Sequence, residues 1–355
     1  MKFSFDKTKS EIYDFFFFPL LAYGDIEVIQ KEIDIEKEII DESQIEFFDQ
    51  AKRMLGPYFE RIKKFYHHDI FENKDIANII FRSVPLDKVI NSKDFLNCLR
   101  KIDLKSFKRN LIEYIKSINS ENIEIPVKTE DLPLELINRL NVDPGLKWNL
   151  LILYQEPQVL ILELYDLLNE LLPLFESLYN KNKEMIEKTG IRLSTYLNEN
   201  PFENLARITN NNISTSFIEN EYCEIYISLL FSYSLSILNH SDKSTIVWGN
   251  ELEKSFQKLK KINEDKFKSR VRVFKALGDK TRHETLRLLS SGKTSTKEIA
   301  QILNVSSATI SYHLNEFLTA GIISLGKVND KSAYVVNYDN LNTIIEDFKK
   351  DLNFE

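Results

Sequence analysis

The amino-acid sequence predicts a mainly α protein with a small β component, built as a multi-helical N-terminal domain followed by a smaller C-terminal one. Three observations carry this expectation. Apolar residues recur at helical spacing through the first half of the chain; one run, Ile225–Ile237, alternates with period two; and the C-terminal stretch reads as short helices closed by a hairpin. At 355 residues the chain is too long for one ordinary core, so two or three domains are expected.

The N-terminal elements follow in order. Phe15–Tyr23 is apolar, but Pro19 interrupts it, Asp6, Glu11 and Asp14 precede it, and no small-residue cleavage site follows. It does not read as a signal peptide. Glu46–Tyr66 places Phe47, Phe48, Ala51, Leu55, Phe59 and Ile62 on one helical face, and Phe95–Ile118 does the same with Leu96, Leu99, Phe107, Leu111 and Ile115. After a loop at Val142–Gly145 comes Gln158–Leu172, with ten apolar residues of fifteen, bracketed by Pro157 and Pro173. Glu163, Asp166 and Glu170 lie inside it, so it is too short and too charged to span a bilayer and reads as a core helix. No membrane association is expected.

The period then changes. In Ile225–Ile237 the odd positions are Ile, Ile, Leu, Phe, Tyr, Leu and Ile, separated mostly by serine, which predicts a half-buried strand. Ser244–Trp248 predicts a second strand, and the β-branched Ile213–Ile218 suggests a third, giving a small sheet near 213–248. Lys254–Arg270 is charged and rises into a helix. The expected domains are therefore 1–255 and 256–355.

The C-terminal elements are marked by their caps. Val271–Leu277 is a helix ending at Gly278, and Asp279 caps the next, which stops at Gly292. Thr296 is placed to cap a short helix, KEIAQIL; Asn304-Val305-Ser306 is a turn; SATISYHLNEFLTA follows and ends at Gly321. Two β-prone runs, GIISLGKV and SAYVVNY, flank Asn329-Asp330-Lys331 as a hairpin. Two short helices across a tight turn, then a hairpin, is a winged helix-turn-helix.

Ile310, Leu314, Phe317 and Leu318 form the inward stripe of the second helix of that pair. Its outward face then carries Ala308, Ser311, Tyr312 and Asn315, with Ser306, Ser307 and Thr309 at the N-terminal end, where free N–H groups and the helix dipole favour a phosphate. His313 lies nearer the core edge, and its role stays open between structural and DNA-contacting. The helix has no Arg or Lys, so bidentate guanine reading from it is absent and phosphate contacts fall to Arg282, Lys293, Lys297, Lys327 and Lys331.

LGDKTRHETLRLL, then STKEIAQILNVSSATISYHLNEFLTAGII, then the hairpin, resembles the ArsR-type winged-helix regulators over roughly residues 270–340. The resemblance implies a homodimer that binds a near-palindromic operator in double-stranded DNA and represses. It also implies that Ser307, Ala308, Thr309, Ser311, Tyr312 and His313 occupy DNA-contacting positions. The alternative is a winged helix used as a protein-interaction scaffold without DNA binding. Beyond the hairpin, Leu341, Ile344, Ile345, Phe348 and Leu352 form an apolar face suited to pairing with Val273, Phe274 and Leu277 and with a second subunit.

Composition bounds the rest. The formal charge is −7, yet 270–340 holds ten Lys/Arg against six Asp/Glu, a basic module on an acidic body. Only two cysteines occur, Cys98 and Cys223, which excludes a disulfide scaffold and suits a cytoplasmic protein. Relatives that sense metals carry cysteines on the helix that here reads STKEIAQIL, so no metal or other cofactor is expected. The adjacent His67–His68 point about 100° apart on a helix and make a poor chelate. Residues 1–270 hold five scattered glycines and no nucleophile, metal or nucleotide motif, so no enzyme is expected. The large acidic body is either an effector domain, with apolar clusters such as Phe15–Phe18 lining a pocket for a small molecule, or a dimerisation scaffold.

Overall fold

The computed structural model describes residues 1–23, 42–66, 76–118, 132–140, 144–210, 213, 217–239, 242–264, 266–293, 295–328 and 331–354; His67–His68 lies outside them. In chain order the main elements are β1 (Lys2–Phe5), α1 (Lys7–Phe17), α2 (Glu42–Leu55), α3 (Phe59–Phe65), α4 (Ile76–Phe81), α5 (Ser92–Arg100), α6 (Leu104–Ile118), α7 (Leu132–Arg139), α8 (Pro144–Gln155) and α9 (Pro157–Tyr179). There follow α10 (Lys183–Glu199), α11 (Pro201–Ile208), β2 (Tyr222–Ser228), β3 (Leu235–Asn239), β4 (Ser244–Gly249), α12 (Leu252–Glu264) and α13 (Lys266–Leu277). The last are α14 (Lys280–Ser290), α15 (Thr296–Leu303), α16 (Ser307–Thr319), β5 (Ile323–Val328), β6 (Lys331–Val336) and α17 (Tyr338–Asp351). The fold is mainly α with a small β component, as the periodicities require. Among the described residues no helix is long and apolar enough to cross a membrane.

The chain divides into two units, one comprising the described residues of Glu11–Gly24 and Phe47–Asn182 and the other those of Met1–Ser10, Asp25–Glu46 and Lys183–Glu355. The first is all helical. Its centre is aromatic: Phe15, Phe16, Phe17 and Phe18 are all buried, Phe16 packs on Phe81 at 4.8 Å and Phe15 on Phe175 at 5.3 Å between ring centroids. These phenylalanines are core. The α9 helix runs through Pro173 instead of stopping there. A proline inside a helix removes one hydrogen bond and crowds the preceding turn, but the buried stripe Leu164, Leu168, Leu171, Phe175, Leu178 continues on both sides of it, and this burial outweighs the local cost.

The second unit opens on a sheet of order β1-β2-β4-β3, in which β1, β2 and β4 are parallel and β3 runs antiparallel to β4. The β1 edge is clamped by Asn198 on α10, which accepts from the Phe3 N–H at 2.9 Å and donates to the Phe3 carbonyl at 2.8 Å. Beyond the end of β1, the Ile227 N–H donates to Ser10 Oγ at 3.0 Å, so α1 continues the ladder where the strand stops. Lys9 donates to both oxygens of Glu224 at 2.9 and 3.1 Å. Burial alone would raise that carboxyl, but Lys9 and Lys243 hold it below the usual carboxylate range.

The run read as one strand over 225–237 is two. Leu229–Ser234 is a turn in which the Phe231 N–H donates to Ser228 Oγ at 3.0 Å and Ser232 Oγ donates to the Leu229 carbonyl at 2.5 Å. Ser228 and Ser232 bond to local backbone, and the chain bends there. Ile213–Ile218 supplies no strand among its described residues, only a bridge from Ile213 to Leu325.

The C-terminal elements of this unit enclose a core that includes Val273, Leu289, Ile299, Ile310, Leu314, Phe317 and Ile344. Asp279 caps α14 by accepting from the Arg282 N–H, and Ser306 caps α16 by accepting from the Thr309 N–H. The cap of α15 is Ser295, which accepts from the Glu298 N–H, one residue before the predicted Thr296. Asn304 takes the left-handed conformation, φ 54°, between α15 and α16. Gly321 has φ 69°, and its carbonyl accepts from Asn340 Nδ2 at 3.0 Å. The hairpin is tighter than expected, since Lys331 already pairs with Val328 in the β5–β6 register. Between α14 and α16, Arg282 reaches Glu316 at 3.3 Å. His313 beside them is 6% exposed, and neither ring nitrogen has a hydrogen-bond partner among the described residues.

Two measurements check this packing. Gly249→Ala would drive a Cβ into the carbonyl oxygens of Phe231 and Ser232, and is expected to destabilise the protein by ~2–3 kcal/mol in urea unfolding; an unchanged midpoint would contradict the turn geometry. Burial, opposed by Asp279 and reinforced by Arg282, holds the His313 imidazole below its ordinary range. The unfolded chain therefore binds that proton first, so the contribution is complete above about pH 6.5 and is lost as pH falls below it. The urea midpoint should drop between about pH 7.5 and 5, and His313→Leu should flatten that part of the profile.

Candidate nucleic-acid interface

The geometry of the helix-turn-helix follows from its buried stripe. Ile310, Leu314 and Phe317 of α16 are fully enclosed, with Leu318 packed at the edge of the same core. That fixes the rotation of the helix about its axis and turns the opposite face outward. Ser306 and Ala308 are exposed, and Ser307, Thr309, Ser311, Tyr312 and Asn315 are half-buried. Ala308, Ser311, Tyr312 and Asn315 thus lie on the side of α16 away from the buried stripe, with Ser306, Ser307 and Thr309 around its N-terminal end. Two of the hydroxyls are partly committed locally, since Ser306 Oγ and Thr309 Oγ1 lie 2.8 Å apart while Ser306 also caps the helix.

His313 stands apart from that surface. It is buried near Asp279 and Arg282 at the start of α14, with Tyr312 at 5.7 Å between ring centroids. The predicted cations are also distributed unevenly. The Arg282 guanidinium is mostly buried against Glu316, Lys293 pairs with Glu298 at 2.5 Å, and Lys297 is half-buried on α15. Lys327 and Lys331 belong to β5 and β6 next to the hairpin connection; their side chains lie outside the described part of the structure. The Glu316 partnership was not read from the sequence. No local spacing marks it, because its partner lies 34 residues away on another helix.

A second surface lies on α13 and α17. Ile344 is in the core, Phe274 and Phe348 pack at 4.6 Å between ring centroids, and Arg270 pairs with Asp351 at 2.5 Å. Around these contacts Val271, Ile345 and Leu352 remain 50%, 45% and 52% exposed.

Comparison with known proteins agrees with this architecture. The model of the family described as bacterial regulatory protein, arsR family, matches residues 279–324, which run from the α14 cap into β5. The chain is 35% identical over 75 residues to the transcriptional repressor SdpR of Bacillus subtilis (strain 168), a match covering 21% of this chain and 79% of that protein. It is 34% identical over 83 residues to the uncharacterized HTH-type transcriptional regulator MJ1325 of Methanocaldococcus jannaschii, covering 23% of this chain and 93% of that one. No solved structure matches the chain. With a helix-turn-helix of this geometry and relatives matched over most of their own length, the chain belongs, through its C-terminal domain, to the arsR family of bacterial regulatory proteins.

Proposed function

We propose that this chain is a sequence-specific, double-stranded-DNA-binding transcriptional repressor that acts in the cytoplasm as a homodimer and has no catalytic role. The observation that carries the reading is the outward face of α16, where small hydroxyl residues crowd the N-terminal end of a helix whose orientation is fixed by its own core stripe. Small side chains let the backbone approach base edges and phosphates closely, and the helix dipole favours the phosphate. In this reading Ser306, Ser307, Ala308, Thr309, Ser311, Tyr312 and Asn315 line the major-groove contact, while Lys297, Lys327 and Lys331 meet the flanking backbone.

Dimerisation uses the exposed apolar residues of α13 and α17, so that two α16 helices present themselves to successive major grooves. The division of labour is between residues 1–255 and 256–355, with the acidic N-terminal part either sensing a small-molecule effector or serving assembly. SdpR is named as a transcriptional repressor, which favours repression here too.

The test is a gel-shift titration of the full-length protein on duplex DNA from upstream of its own coding sequence. Binding with a dissociation constant in the range of about 10⁻⁸ to 10⁻¹¹ M is expected. Ser311→Asp should weaken it at least about a hundredfold without changing the melting temperature, because a carboxylate on that face meets phosphate. Absence of any shift at low salt would overturn the proposal in favour of a protein-interaction scaffold.

A further inference from the structure

The helix-turn-helix is thinly charged for a protein that holds DNA. Residues 280–319 carry five Lys/Arg against three Asp/Glu, and α16 has no Lys or Arg. Repressors that neutralise about 6–10 phosphates owe much of their affinity to that count. The two helices in front of the helix-turn-helix have what it lacks. Residues 252–277 hold nine Lys/Arg and three Asp/Glu, a net +6 within a chain of net −7.

These charges are arranged in rows. On α13, Lys268, Arg272 and Lys275 recur at the spacing that aligns side chains along one helical face. They flank the row Phe267, Val271, Phe274, whose members are each one residue earlier and so lie about 100° around the axis. Lys268 and Lys275 are exposed and Arg272 is half-buried. On α12, Lys254, Lys258 and Lys261 repeat the same spacing, with Lys260 exposed beside them; Lys254 also meets Glu251. The α12 helix packs on α13, and α13 in turn packs on α16.

We infer that the basic rows of α12 and α13 are a second DNA-contacting surface, one that grips the phosphates of duplex flanking the segment read by α16. The inference rests on the DNA-binding reading above. A row of one sign along each of two packed helices suits a phosphate backbone. The acidic body of a second copy suits it less, because residues 1–251 mix 29 Lys/Arg with 41 Asp/Glu. In this arrangement α16 supplies the sequence reading, and α12 and α13 supply affinity that is indifferent to sequence.

The test uses the full-length protein and a mixed-sequence 40-bp duplex, with binding measured across about 50–300 mM salt. The variant K260Q/K261Q/K268Q/K275Q should bind at least about tenfold more weakly near 0.1 M salt, and the slope of log affinity against log salt should fall by about 2–4, at roughly 0.9 for each phosphate no longer neutralised. The half-variants K260Q/K261Q and K268Q/K275Q should each account for part of that change, which guards against one variant failing to fold. K349Q/K350Q on α17 should leave the slope as it is. A four-site variant with the wild-type slope would overturn the inference. So would an unchanged slope accompanied by a loss of self-association at low salt, which would assign the rows to a second copy. Failure of the wild-type protein to bind the duplex at all would instead defeat the DNA-binding reading itself.

Discussion

The stripe Ile310, Leu314, Phe317 both anchors α16 in the C-terminal core and fixes which of its residues face outward. Each of these side chains is fully enclosed by the helices around it, and burial of each is worth roughly 1.5–3 kcal/mol. Because a helix has only one rotation that buries a given stripe, the same contacts decide which residues face outward. The hydroxyl-rich end of α16 is presented to solvent as a consequence of core packing, with no contact of its own needed to hold it there. The left-handed Asn304 and the Ser306 cap set the angle at which α16 departs from α15, and Gly321 with Asn340 closes its other end. Thus the apolar pattern, two caps and one turn suffice to turn a stretch of sequence into an oriented surface.

Charge is distributed on a different principle. Within the helix-turn-helix Arg282 joins α14 to Glu316 of α16, Lys293 pairs with Glu298, and α16 itself carries no Lys or Arg. The excess of positive charge sits upstream, on α12 and α13, beside an exposed apolar row. In the reading proposed above, three tasks fall to three surfaces: sequence reading to α16, self-association to the apolar faces of α13 and α17, and backbone attraction to the basic rows. The buried His313 adds a condition on pH, since its neutral form is the one the packing accepts.

Much of this was legible in the sequence, and the exceptions have particular causes. The first-half stripes were readable as helical, but Glu46–Tyr66 breaks at Gly56–Tyr58 and Phe95–Ile118 breaks between Arg100 and Leu104. The helix-turn-helix, the hairpin and Gly321 were readable because their signals are local, within a few residues of one another. Strand β1 was not, since four residues give too short an alternation and their partner in β2 lies some 220 positions away. Pro173 misled because a proline's local cost is visible in sequence and the burial that overrides it is tertiary. The serines between Leu229 and Ser234 misled for the opposite reason: they fit a strand by period and a turn by chemistry, and the turn won. In the candidate site the outward face of α16 was legible from geometry alone, whereas the pairing of Arg282 with Glu316 joins two helices and required the fold.

The claim on which the account turns is that α16 reads duplex sequence as one of a symmetric pair. Selection of bound duplexes from a random-sequence pool by the full-length protein tests it most directly. The account predicts enrichment of an inverted repeat whose half-site centres are about one helical turn, roughly 10 bp, or a multiple of it apart. Recovery of no shared sequence, or of a single unrepeated half-site bound by a monomer, would contradict it.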